Sequence, residues 1–247
     1  ASKTGQLDSV QTQLTNQLLQ DLLVGLGGQS YAIARAAGTT TKSYPAQKAF
    51  WNGETAFRSA RYDSAVTAFS KAVTIDPSYA LAYYRLSAAA EWNFNFLEAR
   101  RAARLASEHS SSLPMPERQI IPAWVDFLAG NAEEAEIAYS RIRSQYRRDI
   151  ESLSGLGEVK MHYNPVRGRP IAEAKPDFEQ VLRMGEYGEA RFHLLEFAAR
   201  ARNRTEFDSL FAGLAAENPQ RPAWQAVRAF TFGTRAEQDR ALALLEA

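Results

Sequence analysis

Bulky and small residues recur along most of this chain at helical spacing, in blocks closed by glycine, asparagine or proline. The clearest block runs from Gly53 to Pro77, GETAFRSARYDSAVTAFSKAVTIDP. Gly53, Ala65 and Ala72 are small enough to let two short helices cross closely. Tyr62 and Phe69 supply bulk between them, and Pro77 stops the second helix. In the next block, ALAYYRLSAAAEWNFNFLEARRAARLA, Tyr83 and Leu86 take the bulky first-helix places. Phe96, Ala99, Ala103 and Ala106 then repeat the spacing of Tyr62, Ala65, Phe69 and Ala72, with alanine in place of the phenylalanine. After the linker HSSSLPMPE the pattern predicts a helix from about Glu117 to Leu128, carrying Ile120, Ile121, Trp124 and Phe127. A second follows from about Ala132 to Tyr146, carrying Ala135, Tyr139 and Ile142, with Gly130-Asn131 as stop and turn. A fourth pair begins near Ile150 and inserts the loop NPVRGRP before Ala174 and Phe178. A fifth spans Gly188 to Pro219, with Phe207 where alanine is usual. A final pair opens with Pro222 and Trp224 and closes around Ala241 to Leu245. Helix pairs at roughly 34-residue intervals cannot bury their apolar faces singly, so they predict one stacked core.

Residues 6 to 26 form a separate element. Leu7, Val10, Leu14, Leu18 and Leu22 fall on one stripe at spacings of three and four, and Leu19, Leu23 and Leu26 widen it. Gly27-Gly28 ends it, and a short helix at Tyr31 to Ala37 follows. So apolar a stripe must bury itself. It is expected to cap the open end of the solenoid, against the helices containing Trp51 and Phe57 or Val66 and Phe69. The other reading is a removable helix lying in the groove. The chain divides accordingly into a helical leader over 1–44 and a solenoid over 45–247.

Composition narrows the function classes. A net charge of +1 over 247 residues argues against a dedicated nucleic-acid binder. No apolar run approaches the roughly 20 residues needed to cross a bilayer. The opening ASKTGQ lacks the charged-then-apolar layout of a signal peptide and is read as a processed terminus. There is no cysteine, which removes disulfide frameworks, thiolate metal sites and cysteine nucleophiles.

The spacing from Gly53 to Pro77, with Ala-x-x-x-Phe and a later proline, resembles the second half of a tetratricopeptide repeat. The resemblance implies an all-α, right-handed superhelical solenoid of five to six helix pairs with a helical leader. A narrower resemblance covers nearly the whole chain, through TTTKSYPAQKAFWNGETAFRSARYDSAVTAFSKAVTIDPSYALAYYRLSAAAEW, SLPMPERQ and SGLGEVKMHYNPVRGRP. It is similar to the C-terminal region of bacterial signalling proteins in which a serine/threonine kinase, adenylate cyclase or winged-helix regulator precedes such repeats. The chain itself has no glycine-rich nucleotide loop, HRD or DFG. The resemblance implies a non-catalytic sensor or docking segment. It would be extracytoplasmic in a membrane-anchored protein, or else cytoplasmic. The alternative is a structural subunit or spacer of a larger complex.

In such solenoids the first helix of each pair lines the concave side. The residues expected to face a peptide there are Phe50, Glu54, Phe57, Arg58, Tyr84, Arg85, Trp124, Phe127, Glu158, His162, Phe192, Glu196 and Arg200. Aromatic side chains among them suit contact, since they bury much area with few rotatable bonds. Phe50 and Glu54 stand where chaperone-tail binders carry lysine and asparagine, which disfavours that ligand class. No catalytic residue, cofactor or metal ligand is expected. His109, His162 and His193 lie in different units without paired metal spacing. GLGE at 155–158 reads as a close helix contact rather than a phosphate loop. Arg100, Arg101 and Arg104, and Arg141, Arg143, Arg147 and Arg148, form basic clusters on second helices. These are solvated convex faces or, at Arg141, Arg147 and Arg148, a contact for phosphate or an acidic patch. The loop Asn164 to Pro170 is either a lengthened turn or, with Glu158 and His162, the place where an enzyme site would be built.

Overall fold

The structure is a computed structural model that describes residues 40–147, 149–185, 187–217 and 222–246. The leader over 6–26, its docking and Arg148 lie outside the described residues. Among these residues there are twelve α-helices and no strands. They run α1 (Tyr44–Arg58), α2 (Tyr62–Ile75), α3 (Ala80–Trp92), α4 (Phe96–Glu108), α5 (Glu117–Ala129), α6 (Ala132–Gln145), α7 (Ile150–Tyr163), α8 (Lys175–Met184), α9 (Gly188–Arg200), α10 (Arg204–Glu217), α11 (Pro222–Phe232) and α12 (Arg235–Glu246). Each helix packs on the next, and α1 also meets α3 as α5 meets α7. The result is an all-α solenoid of six antiparallel pairs.

Local chemistry starts and stops these helices. Ser43 caps α1, its Oγ accepting from the Ala46 N–H at 3.3 Å, and Pro45 sits in the first turn where no N–H is needed. Asp149 caps α7 by accepting from the Ser152 N–H at 2.7 Å. The turn inside the first, second, third and fifth pairs is one motif. Ala60, Phe94, Gly130 and Arg202 all have positive φ, at 51°, 59°, 85° and 55°. In each, the next residue's N–H returns to a carbonyl five residues back: Arg61 to Ala56, Asn95 to Ala90, Asn131 to Asp126 and Asn203 to Ala198. Only Gly130 advertises this conformation. At the other three the fold imposes it on residues that disfavour it. In the fourth pair two 3₁₀ turns, Pro165–Arg167 and Ile171–Ala174, replace that turn.

The small residues lie where the helices cross. Ala65, Ala72, Ala99, Ala106 and Ala135 are fully buried, as are Phe69 and Phe178. A Cβ on Gly53 would stand 2.5 Å from a ring carbon of Phe69, and one on Gly157 would stand 2.6 Å from Phe178. The GLGE segment is therefore the close helix contact its glycines imply. In the second pair, where alanine replaces phenylalanine, polar links take over. The Ser87 hydroxyl donates to the Ala99 carbonyl at 2.7 Å, and the Trp124 indole N–H donates to Ser87 Oγ at 2.7 Å.

Gly53→Ala should lower the unfolding free energy by about 1–3 kcal/mol, because its methyl group must displace the Phe69 ring. Urea denaturation measures this, and adding Phe69→Leu should recover part of the loss. A neutral Gly53→Ala would disprove the close crossing.

Candidate functional site

Helix α3 decides what happens to the concave face. Every residue from Ala80 to Ala90 is buried, including Tyr84, Arg85 and Ser87. A helix covered all round cannot line an open groove. On one side α3 packs against α1, α2 and α4, and on the other its side chains reach α7 and α9 across the inside of the superhelix. The winding closes further where the start of α9 meets the first turn: a Cβ on Gly188 would lie 3.2 Å from Ala60 Cβ.

The residues expected to line the groove therefore divide. Phe50 is in the core of the first pair against Phe69 and Tyr79, and Phe57 packs on Tyr62. Tyr84, Trp124 and Phe127 are buried and pack in a row, Trp124 edge-on to Tyr84 at 6.3 Å and stacked on Phe127 at 5.1 Å. Glu54, Arg85 and Glu158 are buried in ion pairs. Arg58, Phe192 and Glu196 are half-buried, and His162 and Arg200 are exposed. Most of these residues therefore lie in a packed interior, and Arg58, His162, Phe192, Glu196 and Arg200 are the ones with solvent access.

Two charged clusters occupy that interior. In the first, Arg85 bridges Glu54 of α1 (Nε to Oε1, 2.5 Å; Nη2 to Oε2, 2.9 Å) and Glu151 of α7 (Nη1 to Oε2, 3.2 Å). Its guanidinium also lies 5.0 Å from the Phe57 ring centroid. The Tyr84 hydroxyl donates to Glu151 at 3.1 Å. Burial pushes the Glu151 carboxyl up, and Arg85 opposes that push. Glu189, in the first turn of α9, is buried nearby with Oε2 unpartnered. Burial first, and then the charges of Glu151 and Glu158, raise it to about 8 against the pull of Arg85.

The second cluster joins α7 and α9. Glu158 contacts His193 Nε2 at 3.1 and 3.2 Å and His162 Nε2 at 3.2 Å. His193 Nδ1 lies 2.9 Å from Glu196 Oε2. Burial alone would strip the His193 proton, yet Glu158 and Glu196 hold it up to about 10. Burial likewise opposes ionisation of Glu158, but the two histidines bring it down to about 2. Glu91 on α3 faces the same groups, and burial, with Glu158, raises it to about 7. His162 and Glu91 open onto a cleft of about 230 Å³ that is also lined by Phe96, Arg100, Phe127 and Tyr163.

Glu158, His162 and Glu196 are expected on inward faces from the sequence, whereas Glu91, Glu151, Glu189 and His193 carry no such expectation. The local signs were i,i+4 for Glu158 and His162 and i,i+3 for His193 and Glu196. Pairing across 35 residues left no sign. The loop 164–170 is fastened to the fold: Arg167 and Arg169 both donate to Glu136, at 2.7 and 2.8 Å, and Asn164 Nδ2 donates to the Pro170 carbonyl at 3.2 Å. Glu158 pairs with His162 and His193, not with that loop. In the basic clusters, Arg101 and Arg104 pair with Glu98 and Glu108, and Arg143 with Asp177. Arg141 and Arg147 are exposed on and just beyond α6.

Stacked helix pairs with small residues at the crossings make a tetratricopeptide-like helical repeat fold. No protein-family model matches the sequence, and no curated protein matches it either. Among solved structures the chain is similar to a tetratricopeptide repeat protein from Parabacteroides merdae ATCC 43184. The TM-score is 0.50 and the identity 15%, over 88% of this chain and 84% of that one. This likeness bears on the fold. Among the described residues no helix is long and apolar enough to cross a membrane.

Glu189 gives the interior a pH dependence. Its folded-state pKa of about 8 lies above the ordinary carboxylate value, so the folded chain holds a proton that the unfolded chain has lost. The associated stability is fully present below about pH 4.5 and lost as pH rises to about 8. Glu189→Gln should flatten that part of the stability profile and raise the melting temperature at pH 8 by about 2–4 °C for each kcal/mol recovered. Thermal denaturation at pH 5 and pH 8 measures both, and an equal shift at the two pH values would refute a buried titrating carboxyl.

Proposed function

We propose that the chain is a non-catalytic protein- or peptide-binding scaffold, the sensor or docking segment of a bacterial multidomain signalling protein. One observation carries the binding surface. Beside the cleft formed by Glu91, Phe96, Arg100, Phe127, His162 and Tyr163, the turn between α3 and α4 and the first residues of α4 hold large exposed apolar side chains. Phe94 is 75% exposed, Phe96 50% and Leu97 81%, and Phe94 and Phe96 meet edge-on at 6.3 Å. Phe94 stands at the left-handed position that glycine fills in the next pair. Its ring touches Phe96 edge-on yet stays largely in solvent, which favours a contact role. Of the concave residues, His162, Phe192, Glu196, Arg58 and Arg200 remain within reach of a ligand. An acidic or phosphate contact at Arg141, Arg147 and Arg148 rests on charge pattern. Arg147 shares an open cleft with Arg143, Lys160 and Arg169, which are themselves paired with carboxylates.

Peptides selected from a displayed random library on the purified chain should converge on a common motif. Phe96→Ala should weaken the selected peptide by about 1–3 kcal/mol in fluorescence anisotropy. Failure of any motif to emerge, or equal affinity for Phe96→Ala with helicity intact, would reject this surface. The reading frame upstream of this segment tests the signalling context: a kinase, cyclase or winged-helix domain is expected.

A second reading, a structural subunit or spacer, draws on the other end of the solenoid. There Phe230, Leu242, Leu244 and Leu245 are 42–52% exposed. Under this reading light scattering after size exclusion should show a stable oligomer that Leu245→Lys disperses. A monomer at every concentration argues against it.

A further inference from the structure

Two imidazoles and a carboxylate converge in the second interior cluster. Glu158 and His162 project from one face of α7, and His193 comes from α9. One donor atom from each lies within 4.8 Å of the others, and the Glu158 oxygens are 3.1–3.2 Å from both imidazole nitrogens. Zinc binds histidine nitrogen and carboxylate oxygen at roughly 2.0–2.2 Å, which sets neighbouring tetrahedral ligand atoms roughly 3.3 Å apart. The two carboxylate–imidazole separations are within a few tenths of an ångström of that edge, and the two imidazole nitrogens lie within 4.8 Å of each other. From this geometry we propose that Glu158, His162 and His193 form a binding site for a divalent transition-metal ion of the zinc class, with its fourth position facing the cleft beside α3.

The surroundings are those of a built site. His193 is 2% exposed and is held by stacking on Phe178 at 4.6 Å and by Trp92 at 5.3 Å. Its Nδ1 faces Glu196 at 2.9 Å, so Nε2 is the atom left to coordinate. A carboxylate behind a coordinating histidine is the usual second-layer support of such sites, fixing the tautomer and ring plane. The ion takes the place of the proton between His193 Nε2 and Glu158, and that proton passes to solvent. Two imidazoles select zinc, cobalt or nickel over magnesium and calcium, which take oxygen ligands. His162 is the ligand with solvent access, its side chain 48% exposed, and it lines the cleft with Glu91 and Tyr163. Three protein ligands with one position toward solvent leave room for a bound water. This site shares His162 and the cleft with the proposed peptide surface, but that surface rests on Phe96 and this site on Glu158, His162 and His193, so either can fail without the other.

Calorimetric titration of the chelator-treated chain with Zn²⁺ should show saturation at one ion per chain. His162→Ala and Glu196→Gln should each weaken binding by about tenfold or more. His109→Ala, which removes a histidine stacked on Tyr83 outside the site, should leave binding unchanged. Co²⁺ should give the intense visible absorption of a tetrahedral ion, and His162→Ala should abolish it. No saturable uptake by the chelator-treated chain overturns the proposal. So does uptake that both site variants leave unchanged, since that marks adventitious surface binding. Should His162→Ala fail to fold, the half-exposed Glu196→Gln separates the same two outcomes.

Discussion

Arg85 between Glu54 and Glu151 is the contact on which the shape of the solenoid turns. A guanidinium buried at the centre of an all-round-buried helix needs anionic partners, and it finds one on the preceding pair and one two pairs ahead. Such a triad adds little net stability over an apolar interior of the same volume, because desolvation offsets most of the Coulomb gain. Its effect is on geometry. Glu151 is reached only if the superhelix winds tightly enough to bring α7 against α3. Removing the arginine would leave Glu151 buried without this counter-charge and Glu54 with the more distant Arg58, 3.9 Å away.

The histidine cluster repeats this logic one layer on. His193 joins Glu158 of the fourth pair to Glu196 of the fifth, with Trp92 of the second against its ring. Polar groups that would face a ligand in an open repeat array are here tied to each other across the turn of the superhelix. What stays accessible is the rim: the cleft at Glu91, Phe127 and His162, and the apolar turn at Phe94 to Leu97. The binding and metal proposals share this rim without sharing their decisive residues, since one rests on Phe96 and the other on Glu158, His162 and His193.

Helix existence and pairing were legible because they follow from local spacing. The pair Glu117–Ala129 and Ala132–Gln145 lies within a residue of the pattern-based bounds, and Gly130 takes the left-handed conformation its place implied. Gly53 against Phe69 and Gly157 against Phe178 were legible for the same reason: a missing side chain opposite a bulky one marks a close crossing. The burial of α3 was partly legible as well. From Ala80 to Ala90 its sequence, ALAYYRLSAAA, has a single charge and no polar stripe, which is the composition of a helix covered on every side.

The sequence by itself thus determined the all-α class, a stack of five to six helix pairs and the residues at their crossings, because each depends on neighbours three, four or about thirty residues away. Only the tertiary structure decided that Arg85 meets Glu151 and that Glu158 meets His193, contacts spanning 66 and 35 residues. Those contacts depend on the accumulated rotation from pair to pair. A small angular change at each of several interfaces moves the two ends of such a contact by more than a hydrogen bond's reach. No local pattern encodes that sum, so the partners of the buried charges, and with them the site, appear only once the whole superhelix is wound.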